Sequence, residues 1–189
     1  MSSNRTSRER IVDTAADIAC ESGIPNLTIG NLADTLGMSK SGIFRYFGSR
    51  DNLVSAVVDE VNGRFKSAVV VPTLAADDGI CRLDTAYSRW IDWMRTSGVS
   101  GCASEAATIS LQQVEGSARE SVLKSRGLWL NAIESAAERA GAASPQVFAW
   151  SLYGLVLAYA NLRPALGDAI ATAQSLEAYS TLKRSQIRE

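Results

Sequence analysis

Residues 28–47, TIGNLADTLGMSKSGIFRYF, constrain the fold more than any other stretch of the chain. Ile29, Leu32, Ala33 and Leu36 recur at helical spacing and predict one short amphipathic helix. Ile43, Phe44 and Phe47 predict a second, behind a Ser39 that can cap it. Between them Gly37 can take the left-handed backbone that reverses the chain, and Ala33 is small where the two helices must cross. Two helices meeting steeply over a tight turn, with the second standing proud, make a helix-turn-helix. Its second helix is the kind that enters the DNA major groove.

The flanks extend the pattern. Arg8 to Ser22 predict a helix with Ile11, Ala15, Ile18 and Ala19 on one side, ending at Gly23 with Pro25 close behind. After Phe47, Gly48 breaks the chain and Ser49 caps a further helix through Arg50, Asp51, Asn52 and Leu53. Over roughly the first 57 residues this order resembles the TetR family of bacterial transcriptional regulators. The matching runs are Arg10 to Ala16, Leu27 to Ile29 with Leu32 and Ala33, Gly37 to Phe47, and Ser49 to Leu53.

A chain of 189 residues suits a small domain joined to a larger one, and its 46 % hydrophobic content is ordinary for a globular protein. No apolar run approaches ~18–20 residues and the N-terminus lacks the apolar stretch of an export signal, so a cytoplasmic address and no membrane are expected. The net charge of −1 argues neither for nor against nucleic acid, but placement is informative. Lys40, Arg45 and Arg50 gather around the second helix of the pair, and Arg5, Arg8 and Arg10 read as a flexible basic arm. Cys20, Cys81 and Cys102 are far apart, giving neither a zinc ribbon nor a disulfide framework. Histidine is absent, so the commonest general base and metal ligand is missing. No phosphate-cradling loop appears either. No enzyme activity, metal or cofactor is expected.

Beyond residue 50 the pattern stays helical, giving an all-α fold of about nine helices. A DNA-binding domain over 1–49 and a helical ligand-binding and dimerisation domain over 50–189 are expected. A long helix from Arg50 to Val70 should stop at Pro72. Others follow at about 80–96, 102–114, 117–140 (capped by Ser117), 144–164 (capped by Ser144, with Pro145 in its first turn) and 168–184.

The stretch QVFAWSLYGLVLAYA, residues 146–160, is apolar on nearly every side and too short to span a membrane. Either it is the central core helix of a monomer, or a second copy of the chain covers its outer side. Gly154 and Ala158, one turn apart, would let another backbone come close. The resemblance implies a homodimer through the last two helices, and a symmetric pair would address a palindromic double-stranded DNA operator.

For DNA contact, Ser39, Lys40, Ser41, Gly42 and Tyr46 lie on the face of the second helix that Ile43 and Phe47 leave free. Lys40 and Ser41 are expected to reach the groove, Gly42 to permit close approach, and Phe44 to touch a thymine methyl. The resemblance implies backbone contacts from Thr28, Tyr46 and Arg50. Tyr46 reads equally as an edge aromatic and Arg45 as a solvated charge.

The resemblance also implies a small-molecule effector, its identity unknown, bound inside the C-terminal bundle. Phe65, Trp90, Trp93, Met94, Ile109, Trp129 and Tyr153 are candidates to line its site, with plain core packing as the competing reading. Four tryptophans among few polar groups favour a flat or apolar effector. Cys102 follows a Gly-rich loop that resembles an element of some family members, and as a lone thiol it is either a sensor or inert. The expected function is a ligand-responsive DNA-binding repressor. The alternative is a helical ligand-binding or scaffold protein with a non-functional helix-turn-helix.

Overall fold

In the computed structural model, which describes residues 6–96 and 116–187, the chain is all-α as expected; the β pairing among these residues is one bridge between Ala142 and Ile187. The elements are α1 (Ser7–Ser22), a 3-10 turn (Ile24–Asn26), α2 (Ile29–Leu36), α3 (Lys40–Phe47), α4 (Arg50–Phe65), a π turn (Lys66–Val70) and α5 (Val71–Ala75). Then come α6 (Ile80–Thr96), α7 (Gly116–Arg139), α8 (Pro145–Leu166) and α9 (Asp168–Gln186). The expected helix over 102–114, with Cys102 and Ile109, lies outside the described residues, as does Arg5. The described chain falls into two compact units, residues 6–64 with 116–124 and residues 65–96 with 125–187.

In the first unit, α1 buries Ile11, Val12, Ala15, Ala16, Ala19 and Cys20 on one face. Leu32 and Ala33 of α2, Ile43 and Phe47 of α3, and Leu53, Val54, Val57, Val58 and Val61 of α4 complete the core. Each large aliphatic among them contributes about 1.5–3 kcal/mol by leaving water. The start of α1 is fixed by a capping box: the Glu9 amide donates to Thr6 Oγ1 at 3.3 Å and the Thr6 amide to Glu9 Oε2 at 2.8 Å. That box corrects the expectation of a flexible arm. Arg8 and Arg10 belong to α1, and the Arg8 guanidinium lies 5.3 Å from the centre of the Phe47 ring. The first turns of α7 bond to α4, Ser117 to Ser55 at 2.9 Å and Ser121 to Asp59 at 2.9 Å. Ser117 is therefore inside the helix rather than its cap, because α7 already starts at Gly116.

In the second unit, α8 and α9 form a hairpin turned by Gly167, and α6 packs on α8. Tyr87 of α6 stacks on Tyr179 of α9, with ring centres 4.1 Å apart and planes 6° apart. Their hydroxyls donate to Ser175 Oγ (2.7 Å) and to Asp84 (2.9 Å), and Lys183 holds the same carboxylate at 2.5 Å. Burial raises the pKa of both phenols. For Tyr179 the Asp84 carboxylate adds to the rise.

Two further helix starts and stops differ from expectation. Pro72 does not stop the chain; it sits in the first turn of α5. Proline breaks a helix because its ring meets the carbonyl four residues back. Here Val71 donates to Lys66, five residues back, so the ladder is already out of α register when the ring arrives. Ser144 precedes α8 but makes no capping bond, leaving Pro145 to set the start of the helix.

Candidate functional site

The helix-turn-helix is built from backbone caps. Thr28 Oγ1 accepts from the Asn31 amide at 3.1 Å and starts α2. Gly37 takes the left-handed conformation (φ 63°, ψ 32°), and the Met38 amide returns to the Ala33 carbonyl at 3.0 Å. Ser39 Oγ then accepts from the Gly42 amide at 3.0 Å and starts α3. Ile43 and Phe47 face inward, and Lys40, Ser41, Phe44 and Arg45 face out. Ser49 caps α4 through the Asn52 amide at 3.1 Å, and Asn52 Nδ2 donates to the Phe47 carbonyl at 2.8 Å, fastening the end of α3 to the start of α4.

The residues expected to meet DNA occupy this exposed surface. Lys40 lies across Gly30, so that a Cβ there would sit 3.8 Å from its ammonium. That places a cation beside the first turn of α2, next to Thr28. Ser41 Oγ is 3.1 Å from Ser39 Oγ. Phe44 is 51 % exposed, unusual for a phenylalanine, and Tyr46 is 36 % exposed beneath the Arg45 guanidinium, 5.9 Å from its ring centre. Arg50 donates one guanidinium nitrogen to the Ile24 carbonyl at 3.3 Å and is otherwise exposed. Gly42 has a local reason for lacking a side chain as well: a Cβ would stand 3.1 Å from the Ser39 hydroxyl that caps the helix.

In the second unit, Phe65, Trp90, Trp93, Trp129 and Tyr153, far apart in sequence, come together. Phe65 meets all three indoles edge to face, with ring centres 6.0 Å (Trp90), 5.9 Å (Trp93) and 5.8 Å (Trp129) away. Trp90 also packs edge-on against Trp129 (5.7 Å) and Tyr153 (5.5 Å). Met94, one turn on from Trp90, is buried. The Arg126 guanidinium lies 5.3 Å from the Tyr153 ring centre.

Sequence reasoning missed the Thr6–Glu9 box, although its Thr-x-x-Glu spacing is the standard signal for one. It also missed Arg64, which binds Asp13 and Asp17 of α1 and Glu60 of α4. Asp13 with Asp17, and Glu60 with Arg64, are each four apart; that spacing was visible, but their meeting was not. No cluster of three or more potential metal ligands occurs among the described residues. None of the described helices is long and apolar enough to cross a membrane.

Residues 11–57 match the family described as bacterial regulatory proteins, tetR family. Among solved structures, the chain is similar to a TetR-family transcriptional regulator from Streptomyces coelicolor (17 % identity, 94 % of each chain covered, TM-score 0.83). It is similar also to a TetR regulator from Legionella pneumophila (15 % identity, 100 % of each chain, TM-score 0.82). A third likeness is to AibR, solved with isovaleryl coenzyme A and operator DNA (18 % identity, 89 % of this chain and 95 % of that one, TM-score 0.74). No curated protein matches the sequence. The matched segment spans α1 to α4 from Ile11 to Val57, caps and turn included; over that segment the chain is similar to the TetR family of bacterial regulatory proteins, and over its length it shares the fold of the solved regulators.

Proposed function

We propose that the chain is a ligand-responsive, DNA-binding transcriptional repressor, released from a palindromic operator by a small, largely apolar effector. The observation that carries this reading is the outer face of α3. Lys40, Ser41, Phe44 and Arg45 are all exposed on a helix whose opposite face, Ile43 and Phe47, is anchored in the core. A phenylalanine half in water beside two cations suits a groove that offers thymine methyls and phosphates together. Thr28, Ser39, Tyr46 and Arg50 would contact the backbone at the ends of the same surface.

The working unit in this reading is a homodimer formed through α8 and α9. The inner face of α8 buries Phe148, Ala149, Leu152, Val156 and Tyr159, while Val147, Trp150, Gly154, Ala158 and Leu162 are exposed on the outer one. Ile170 and Leu176 of α9 are exposed as well. A contiguous apolar stripe of this kind is what a second copy would cover, and a two-fold pair would present two α3 helices to half-sites a DNA turn apart. Residues 1–49 would bind DNA, and 50–189 would bind effector and partner, in the cytoplasm. AibR, which was solved with both a small molecule and operator DNA, is a precedent for joining the two activities on this fold.

The test is selection of duplexes from a random pool by the purified protein, followed by gel-shift titration of the enriched sequence. A palindromic sequence bound by wild type, and more weakly by K40A, supports the reading. No enrichment of any duplex returns the alternative of a helical ligand-binding or scaffold protein.

A further inference from the structure

The aromatic cluster around Phe65 contains three buried hydrogen-bond donors that have no acceptor among the described residues. Trp90 is 1 % exposed and Trp129 is 5 % exposed; the Nε1 atoms of these two and of Trp93 are sealed from solvent and meet no acceptor among the described residues. An indole N–H is a donor only, so neither a flip nor a change of tautomer relieves it. In the unfolded chain each would be bonded to water, and burial without a partner forfeits that bond. Phenylalanine at the same positions would keep most of the ring packing without the loss. Edge-to-face packing against Phe65 offers an aromatic face instead of an oxygen, a much weaker acceptor, and one ring is shared among three donors. Trp150, by contrast, is 67 % exposed on α8. The unpaired donors are thus a property of one site rather than of tryptophan in this chain.

We infer that the effector is a flat, uncharged molecule bearing carbonyl-type oxygens, and that Trp90, Trp93 and Trp129 are the hydrogen-bond donors that recognise it. The inference rests on the effector-binding reading above and narrows it from any apolar molecule to one that brings acceptors. Hydrocarbon rings dominate the cluster, its three unpaired donors are neutral, and the Arg126 guanidinium is already engaged over the Tyr153 ring, so an anion entering the cluster would lose more hydration than a ketone, quinone or lactone oxygen does. Phe65 occupies the centre of the three indoles, so its ring moves aside when an acceptor takes its place.

The test uses the whole protein labelled with nitrogen-15 at tryptophan, its four indole N–H signals assigned by the single variants W90F, W93F, W129F and W150F. In the free protein, three signals should lie upfield and exchange slowly with water. Downfield, fast-exchanging signals would mean that the donors are hydrated and would overturn the inference. The protein is then titrated with 9-fluorenone and with fluorene, which share a skeleton and differ in the carbonyl. Fluorenone should bind about tenfold tighter, the worth of one neutral hydrogen bond, and move the Trp90, Trp93 and Trp129 signals downfield while Trp150 stays. Equal affinity for the two compounds sinks the acceptor inference and leaves the effector site standing. If neither compound shifts any signal or the melting temperature, the cluster is plain core and the effector-site reading falls with the inference. The wild-type comparison stands even if a variant fails to fold.

Discussion

Arg64 and Phe65 are neighbours in sequence whose side chains are committed to different clusters. The Arg64 guanidinium bonds Asp13, Asp17 (2.6 Å) and Glu60 (2.9 Å), tying α4 to α1. The Phe65 ring is held among Trp90, Trp93 and Trp129. The α-helical ladder gives way to the π turn at the very next residue, Lys66.

The guanidinium is partly exposed, so R64M should cost a modest ~1–2 kcal/mol of stability. Burial alone would lower the Arg64 pKa, but its carboxylate partners outweigh burial and hold it above its ordinary value, so the charge is present at every accessible pH. The effect should therefore be sensitive to salt and should persist on the alkaline side of neutrality. Urea unfolding of wild type and R64M at low and high salt checks this. A difference that does not shrink with salt would place the contribution of Arg64 in packing instead.

K40A and R50A should each weaken operator binding and shallow its salt dependence by about one phosphate's worth, a slope change of ~0.9. The Arg50 effect should be the smaller because one of its nitrogens is already given to the Ile24 carbonyl. Gel-shift titrations at several salt concentrations measure both. Unchanged slopes would remove these side chains from the phosphate contacts.

Gly42 and Gly127 make an internally controlled pair. A helical glycine replaced by alanine gains about 0.5–1 kcal/mol where space allows. Gly127 in α7 has none of the described residues within 4 Å of an added Cβ, and G127A should show that gain. At Gly42 the Cβ presses on the capping Ser39 hydroxyl at 3.1 Å, and loss of the cap offsets the gain, so G42A should lie within about 0.5 kcal/mol of wild type. Equal gains in thermal or urea unfolding would mean that the cap yields freely.

What could be read in advance, and what could not, follows from range. The caps at Ser39 and Ser49 and the left-handed Gly37 are local devices, each set by residues within four positions, and the pattern placed them correctly; the Thr28 cap is equally local but was not read. Pro72 misled because its usual effect depends on the register of the preceding turn, and nothing in Lys66–Val70 announces a π turn. The rings of Phe65, Trp90, Trp93, Trp129 and Tyr153 were individually visible candidates. Their convergence, and the stranding of three indole N–H groups, depend on how four separate helices pack. The apolar residues of α8 were legible as a set, but only the fold divides them into a buried face and an exposed one.

That division predicts assembly. Wild type should sediment as a dimer of 20.2 kDa chains, and W150E should yield the single-chain species with its helix content intact. Trp150 is 67 % exposed, so the substitution leaves the chain's own core untouched, and a carboxylate there is costly only if another surface covers it. In the proposed dimer two α3 helices are presented together, so W150E should also bind a full palindrome no better than a half-site. A W150E protein that remains dimeric would move the interface elsewhere.

The stacked tyrosines give the alkaline limit of the second unit. Both Tyr87 and Tyr179 have pKa values raised above 10, chiefly by burial, so the folded chain keeps two protons that the unfolded chain releases. Below pH 10 the phenols are neutral in both states and contribute no slope. Above it the unfolded state binds fewer protons, so stability falls as pH rises, by ~1.4 kcal/mol per pH unit for each tyrosine. Y179F removes the bond to Asp84 and should cost about 1–2 kcal/mol at neutral pH. It should also make the alkaline slope shallower by one proton's worth. Urea midpoints measured on both sides of pH 10, alongside tyrosinate absorbance, check both signs. Tyr87 and Tyr179 should ionise only as the chain unfolds, and smooth titration of all five tyrosines in the folded protein would contradict the buried, hydrogen-bonded pair.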